Sequence, residues 1–65
     1  MRNWLIDMRE KSGQAQKTVA ESVGISQAAY CNIEKGNRNP MVETAKKIAE
    51  VLGFDWQRFY ESESA

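Results

Sequence analysis

The sequence predicts an all-α fold, a compact domain of five short helices. Three observations carry this. Glycine and proline at Gly13, Gly24, Gly36, Pro40 and Gly53 divide the chain into short segments. Within those segments apolar residues recur at helical spacing. No segment alternates apolar and polar residues with period two for long enough to make a strand.

In order along the chain, Leu5 and Met8, with Trp4 and Met1, give a first helix one apolar face, and this helix ends near Ser12-Gly13. A second, short helix begins at Gln16 and sets Val19, Ala20 and Val23 on one side. Ser26 is a suitable N-cap for a third helix reaching Lys35, with Gly36 as its C-terminal stop. Asn37-Arg38-Asn39-Pro40 is a loop by composition. Val42, Ala45, Ile48, Ala49 and Leu52 line a fourth helix that stops at Gly53. Asp55 caps a last short helix carrying Trp56, Phe59 and Tyr60 at i, i+3 and i+4. The domain therefore spans residues 1–60, followed by an acidic tail at 61–65 expected to be disordered.

Length and composition narrow the function classes. Sixty-five residues make one small domain with too little volume for a substrate pocket. A single cysteine excludes an internal disulfide, and without histidine no zinc-ligand spacing exists. With no metal or cofactor constellation and no phosphate-binding glycine loop, an enzyme is not expected. No apolar run approaches the ~20 residues that span a bilayer. The free Cys31 and the lack of an export signal point to a reduced, cytoplasmic setting. Nine basic residues balance nine acidic ones, which by itself argues against a nucleic-acid partner. That neutrality is the sum of unlike halves. Residues 1–40 hold six Lys/Arg and four Asp/Glu, and residues 41–65 hold three and five.

A helical wheel of the third helix separates two faces. With Gln27 at zero and ~100° per residue, Cys31, Lys35, Ala28 and Asn32 fall between ~40° and ~140°. Ala29, Ile33 and Tyr30 fall on the opposite arc, which is the core face. The first arc has the residue types that read base edges, since Gln and Asn bond adenine bidentately and a small Ala admits a thymine methyl. The same residues also suit an ordinary solvated helix face. Glu34, near ~340° on that wheel, is the acidic exception on a face otherwise fit for a polyanion.

The join before this helix discriminates between those two alternatives. Val23-Gly24-Ile25-Ser26 supplies an apolar helix end, a glycine for positive φ, an apolar plug and a cap. Ala20, four positions earlier, lets the two helices cross closely. This is the pattern of a helix-turn-helix, whose second helix enters the major groove. The stretch from Gln16 to Gly36 resembles the helix-turn-helix of the lambda Cro and phage-repressor family, of xenobiotic-response-element type. Met8-Arg9, the loop Gly36 to Pro40 and the helix ending at Leu52-Gly53 extend the resemblance over residues 3–60.

The resemblance implies a lambda-repressor-like DNA-binding domain and assigns roles residue by residue. Gln27, Ala28 and Asn32 take the base-reading positions. Gln16 contacts phosphate and braces the first reading side chain, while Arg38 and the neighbouring loop, with Asn37, lie at backbone-contacting positions. Apart from the resemblance, Lys35 is a phosphate candidate by its closeness to the groove face, and Ser26 through the N–H groups of its helix start. Ser26 is in any case a cap. Arg9 and Glu34 match a partly buried ion pair, which would turn the acid away from DNA. Two departures weaken helix starts: Gln14-Ala15 replaces a common Leu-Ser/Thr before Gln16, and Met41 replaces a common capping Ser after Pro40. Cys31 reads as a small tolerated side chain beside DNA, with a redox sensor as the rarer alternative. Phe54, Trp56 and Tyr60 are candidate dimer contacts, because so small a domain cannot bury every face. The expected function is a sequence-specific transcriptional regulator, a small phage-like or mobile-element repressor. It would bind a two-fold operator in double-stranded DNA as a homodimer. The rival on the same fold is an antitoxin or an adaptor whose partner is a protein.

Overall fold

In a computed structural model, which describes residues 1–61, the chain forms four α-helices and a closing 3-10 helix. They are α1 (Asn3–Lys11), α2 (Gln16–Val23), α3 (Gln27–Lys35), α4 (Val42–Leu52) and the 3-10 helix Trp56–Tyr60. No strand occurs among the described residues. The fifth helix expected from the Trp56, Phe59, Tyr60 spacing is therefore the 3-10 segment. Its bonding is of the i→i+3 kind, as in the Arg58 N–H to Asp55 O bond at 3.0 Å. The acidic tail expected at 61–65 falls, apart from Glu61, outside the described residues.

Local chemistry sets the boundaries. Ser26 Oγ accepts a hydrogen bond from the Ala29 N–H at 3.0 Å, and Asp55 Oδ1 accepts one from the Gln57 N–H at 3.0 Å. Gly24, at φ +88°, ends α2 with its N–H and that of Ile25 both bonded to Ala20 O. A Cβ at Gly24 would meet nothing within 4 Å, so the backbone conformation of the turn requires glycine there, not lack of space. The two expected weak starts are present: neither Ala15 before α2 nor Met41 before α4 offers a side-chain cap. Ser12 does not substitute for the missing cap of α2. Its hydroxyl donates back to Arg9 O at 2.7 Å and so closes the end of α1.

The core collects one face from every helix. Leu5, Val19, Tyr30, Ala45 and Ile48 are fully buried, with Ala20, Val23, Ile33 and Phe59 nearly so. Trp4, Phe54 and Phe59 meet edge to face, with ring centroids 5.1 to 5.5 Å apart, and attach the C-terminal segment to α1. Two apolar side chains expected inside are outside. Met1 precedes α1 and is 79% exposed, and Val42, on the first turn of α4, is 48% exposed beside Met41 at 79%. The periodic pattern extends one turn beyond the part of α4 that neighbouring helices cover.

One polar cluster joins the helices. Glu34 of α3 is only 2% exposed and accepts from Arg9 Nε of α1 at 2.6 Å. Its other oxygen accepts from Gln16 Nε2 of α2 at 2.8 Å, and Arg9 Nη1 donates to Gln14 O at 3.0 Å. The hydrogen bond to Glu34 raises the Arg9 guanidinium above its ordinary value, against a smaller opposing effect of burial. Tyr30 packs beside this cluster, and its buried hydroxyl has no hydrogen-bond partner. Burial first, and then the Glu34 carboxylate, push the phenol well above its usual range.

A domain of this size has a total stability of about 3–10 kcal/mol. Arg9→Met would leave a buried, unpaired carboxylate and is expected to cost about 3–5 kcal/mol in urea unfolding. The double variant Arg9→Met/Glu34→Leu should recover most of that loss, since no charge is then stranded. For Tyr30 the sign is fixed by the raised pKa. Above about pH 10 the unfolded chain loses the phenolic proton while the folded one keeps it, so stability falls as pH rises. Tyr30→Phe is expected to flatten that alkaline decline and to leave stability at pH 7 undiminished, as the hydroxyl makes no bond. A loss at pH 7 in thermal melts would show that the hydroxyl has a partner after all.

Candidate nucleic-acid interface

The α2–turn–α3 unit positions the third helix by its buried face. Tyr30, Ile33 and Glu34 are buried, so the arc containing Gln27, Ala28 and Lys35 is turned outward and exposed. Cys31 and Asn32 lie half-buried at the margins of that arc. Gln27 and Ala28 occupy the first turn of α3, directly after its Ser26 cap. Among the described residues the side chains of Gln27, Asn32, Lys35, Asn37 and Arg38 make no hydrogen bond, so their donors and acceptors face solvent. The only acid of α3, Glu34, points inward, and the outer surface of the helix carries no negative charge.

Gln16 sits at the start of α2, half-buried. It does not bond Gln27, as the resemblance implies. Its amide nitrogen donates to Glu34, because a buried carboxylate demands donors more strongly than an exposed neutral amide does. A second amide hydrogen and the backbone N–H at the helix start remain available to an anion. Lys35, Asn37 and Arg38 lie together at the end of α3 and in the loop that follows, all exposed. That loop leaves α3 through Gly36 at φ +82°, with the Asn37 N–H bonded to Asn32 O at 3.1 Å. It ends at buried Pro40, whose carbonyl accepts from the Tyr60 hydroxyl at 2.5 Å.

All three candidate dimer residues make contacts within the chain, and Tyr60 is the most exposed of them. Phe54 belongs to the edge-to-face group with Trp4 and Phe59. Trp56 is half-buried between Lys46, whose ammonium lies 5.2 Å from its ring centroid, and the ring of Tyr60. Tyr60 remains 43% exposed, close to Pro40 and so to Met41. Aromatic residues in a short segment settle first against their own chain, because nothing else there supplies comparable area.

One residue at this face is not marked by any sequence motif. Arg2, before α1, reaches the far end of α3. Its backbone N–H donates to Glu34 O at 2.7 Å, and its guanidinium to Ile33 O at 2.5 Å, to Arg38 O at 3.1 Å and to Asn39 Oδ1. An arginine next to Met1 carries no local pattern, so only the fold brings it to this loop. No helix among the described residues is long and apolar enough to cross a membrane.

The chain is similar to known proteins along nearly its whole length. The Helix-turn-helix family (HTH_3) matches residues 5–59. The uncharacterized HTH-type transcriptional regulator YqaF of Bacillus subtilis is 48% identical over 61 residues, covering 94% of this chain and 80% of that protein. An uncharacterized HTH-type transcriptional regulator of Archaeoglobus fulgidus is 37% identical, covering 80% of this chain and 74% of that one. The HTH-type transcriptional regulator PuuR of Escherichia coli is 29% identical over 86% of this chain but only 30% of its own length. No solved structure matches the chain. With a matching family over all four α-helices and relatives that share most of its length, the chain belongs to the XRE/Cro-type helix-turn-helix family of DNA-binding transcriptional regulators.

Proposed function

We propose that this protein is a sequence-specific regulator that lays α3 in the major groove of double-stranded DNA. The observation that carries this is the outward face of α3: Gln27 and Asn32 without internal hydrogen bonds, Ala28 between them, and the only acid turned inward. Gln27 and Asn32 supply bidentate amides for base edges, and Ala28 leaves room for a thymine methyl. Lys35, Asn37 and Arg38 take phosphates on one side of the groove. Ser26 and Gln16 present helix-start N–H groups to phosphate on the other. We further propose a homodimer on a two-fold operator, with half-sites about one helical turn apart. Its contact would use Tyr60 and the exposed Met41 and Val42, in place of Phe54 and Trp56. A small phage-like or mobile-element repressor acting in the cytoplasm fits this reading.

Selection of bound sequences from random duplexes tests the whole reading, because it yields the operator, its symmetry and the half-site spacing together. Failure to enrich any sequence would refute it. Gln27→Ala and Asn32→Ala should each cost about 1–3 kcal/mol on the selected duplex and almost nothing on an unselected one. Equal losses on both duplexes would remove these residues from base reading. Arg38→Ala should weaken binding to all sequences alike and lower the slope of log affinity against log salt by about one, as read by titration over a salt series.

A further inference from the structure

The loop from Gly36 to Pro40 carries Asn37 and Arg38 on an exposed stretch of chain with little to hold it. Its first residues are tied to α3 by the Asn37 N–H to Asn32 O bond, and its last by the Tyr60 hydroxyl on Pro40 O. Between these ends, every hydrogen bond that reaches Arg38 or Asn39 among the described residues comes from Arg2. One guanidinium bridges the last turn of α3, through Ile33 O, and the middle of the loop, through Arg38 O and Asn39 Oδ1. The planar fork of arginine suits three acceptors lying around it, where a lysine ammonium has no fixed directions to offer. Behind the fork, the Phe59 ring lies 5.5 Å from the guanidinium carbon, so the clamp is anchored on the core.

We propose that Arg2 is a positioning residue for DNA binding: it fixes the loop so that Arg38 meets phosphate without being ordered on contact. This role rests on the DNA-binding reading above, and Arg2 lies outside the residues 5–59 that match the family. Disordered loop residues lose conformational freedom when they bind, and that cost is subtracted from affinity. A loop already fixed in the free protein avoids it. Direct contact of Arg2 with phosphate is disfavoured, because the guanidinium already uses three hydrogen bonds inside the protein.

The test measures anisotropy of a fluorescent mixed-sequence duplex over a salt series, with Arg2→Ala, Arg2→Lys and Asn39→Ala, each first shown folded by circular dichroism. Arg2→Lys and Arg2→Ala are both expected to weaken binding about 3- to 10-fold with an unchanged salt slope, and Asn39→Ala to follow in the same direction. In an Arg38→Ala background the effect of Arg2→Lys should shrink markedly, since of the loop's phosphate contacts only the neutral Asn37 is then left to position. Hydrogen exchange at the amides of residues 37–39 should quicken in every Arg2 variant, with or without DNA. A lysine variant that binds like wild type, with an alanine variant losing one unit of salt slope, would show direct phosphate contact and overturn the proposal. So would an Arg2→Lys effect that is undiminished in the Arg38→Ala background. If the wild-type protein bound no duplex even at low salt, the DNA-binding reading would fall, while hydrogen exchange would still report on the clamp.

Discussion

The carboxylate of Glu34 is the point at which three helices meet. It lies on α3, takes Arg9 from α1 and Gln16 from α2, and is nearly sealed from water. A charge in that position is costly unless every acceptor is used, so the cluster admits few alternative arrangements. It does not follow that the pair adds much net stability, since desolvation offsets most of the attraction. Its consequence is geometric. Rotating α3 about its axis would bring Glu34 out and break both partners at once, and that fixes which arc of the helix faces outward.

The same inward turn resolves the chain's charge balance. Neutral overall, the protein has no large field to draw a polyanion from a distance. Removing the one acid from the surface of α3 leaves that face with amides, a small residue and a lysine. On the proposed reading the remaining basic residues nearby, Lys35 and Arg38, which are both exposed, act at short range, where their placement matters more than their number. Arg2 adds to this placement from the opposite end of the chain, tying the loop that carries Arg38 to the end of α3.

Much of the fold is legible in the amino-acid sequence. Ser26 and Asp55 cap as their residue types suggest, and Val19, Ala20 and Val23 are buried as their spacing requires. The turn at Gly24 needs positive φ, and glycine announces it. Local chemistry is readable where a few adjacent residues decide the outcome. The differences concern ends and margins. Met1 and Val42 match an apolar period but lie where no second helix covers them, and periodicity reports a face without reporting what lies opposite. Ser12 serves the helix behind it, not the one ahead, a choice that depends on how the chain turns between them.

The sequence by itself determined the helix order, the caps and turns, the core face of each helix and the amide character of the outer arc of α3. All of these are set within a few residues, by spacing, rotamer and backbone preference. The tertiary structure alone decided the partners across distance. It gave Gln16 to Glu34 and not to Gln27, took Phe54 into an aromatic group with Trp4, and carried Arg2 across to the Arg38 loop. Each of those pairs is chosen by which surfaces are left uncovered once the helices have packed. That competition for burial and for hydrogen bonds is settled only when the whole chain is assembled.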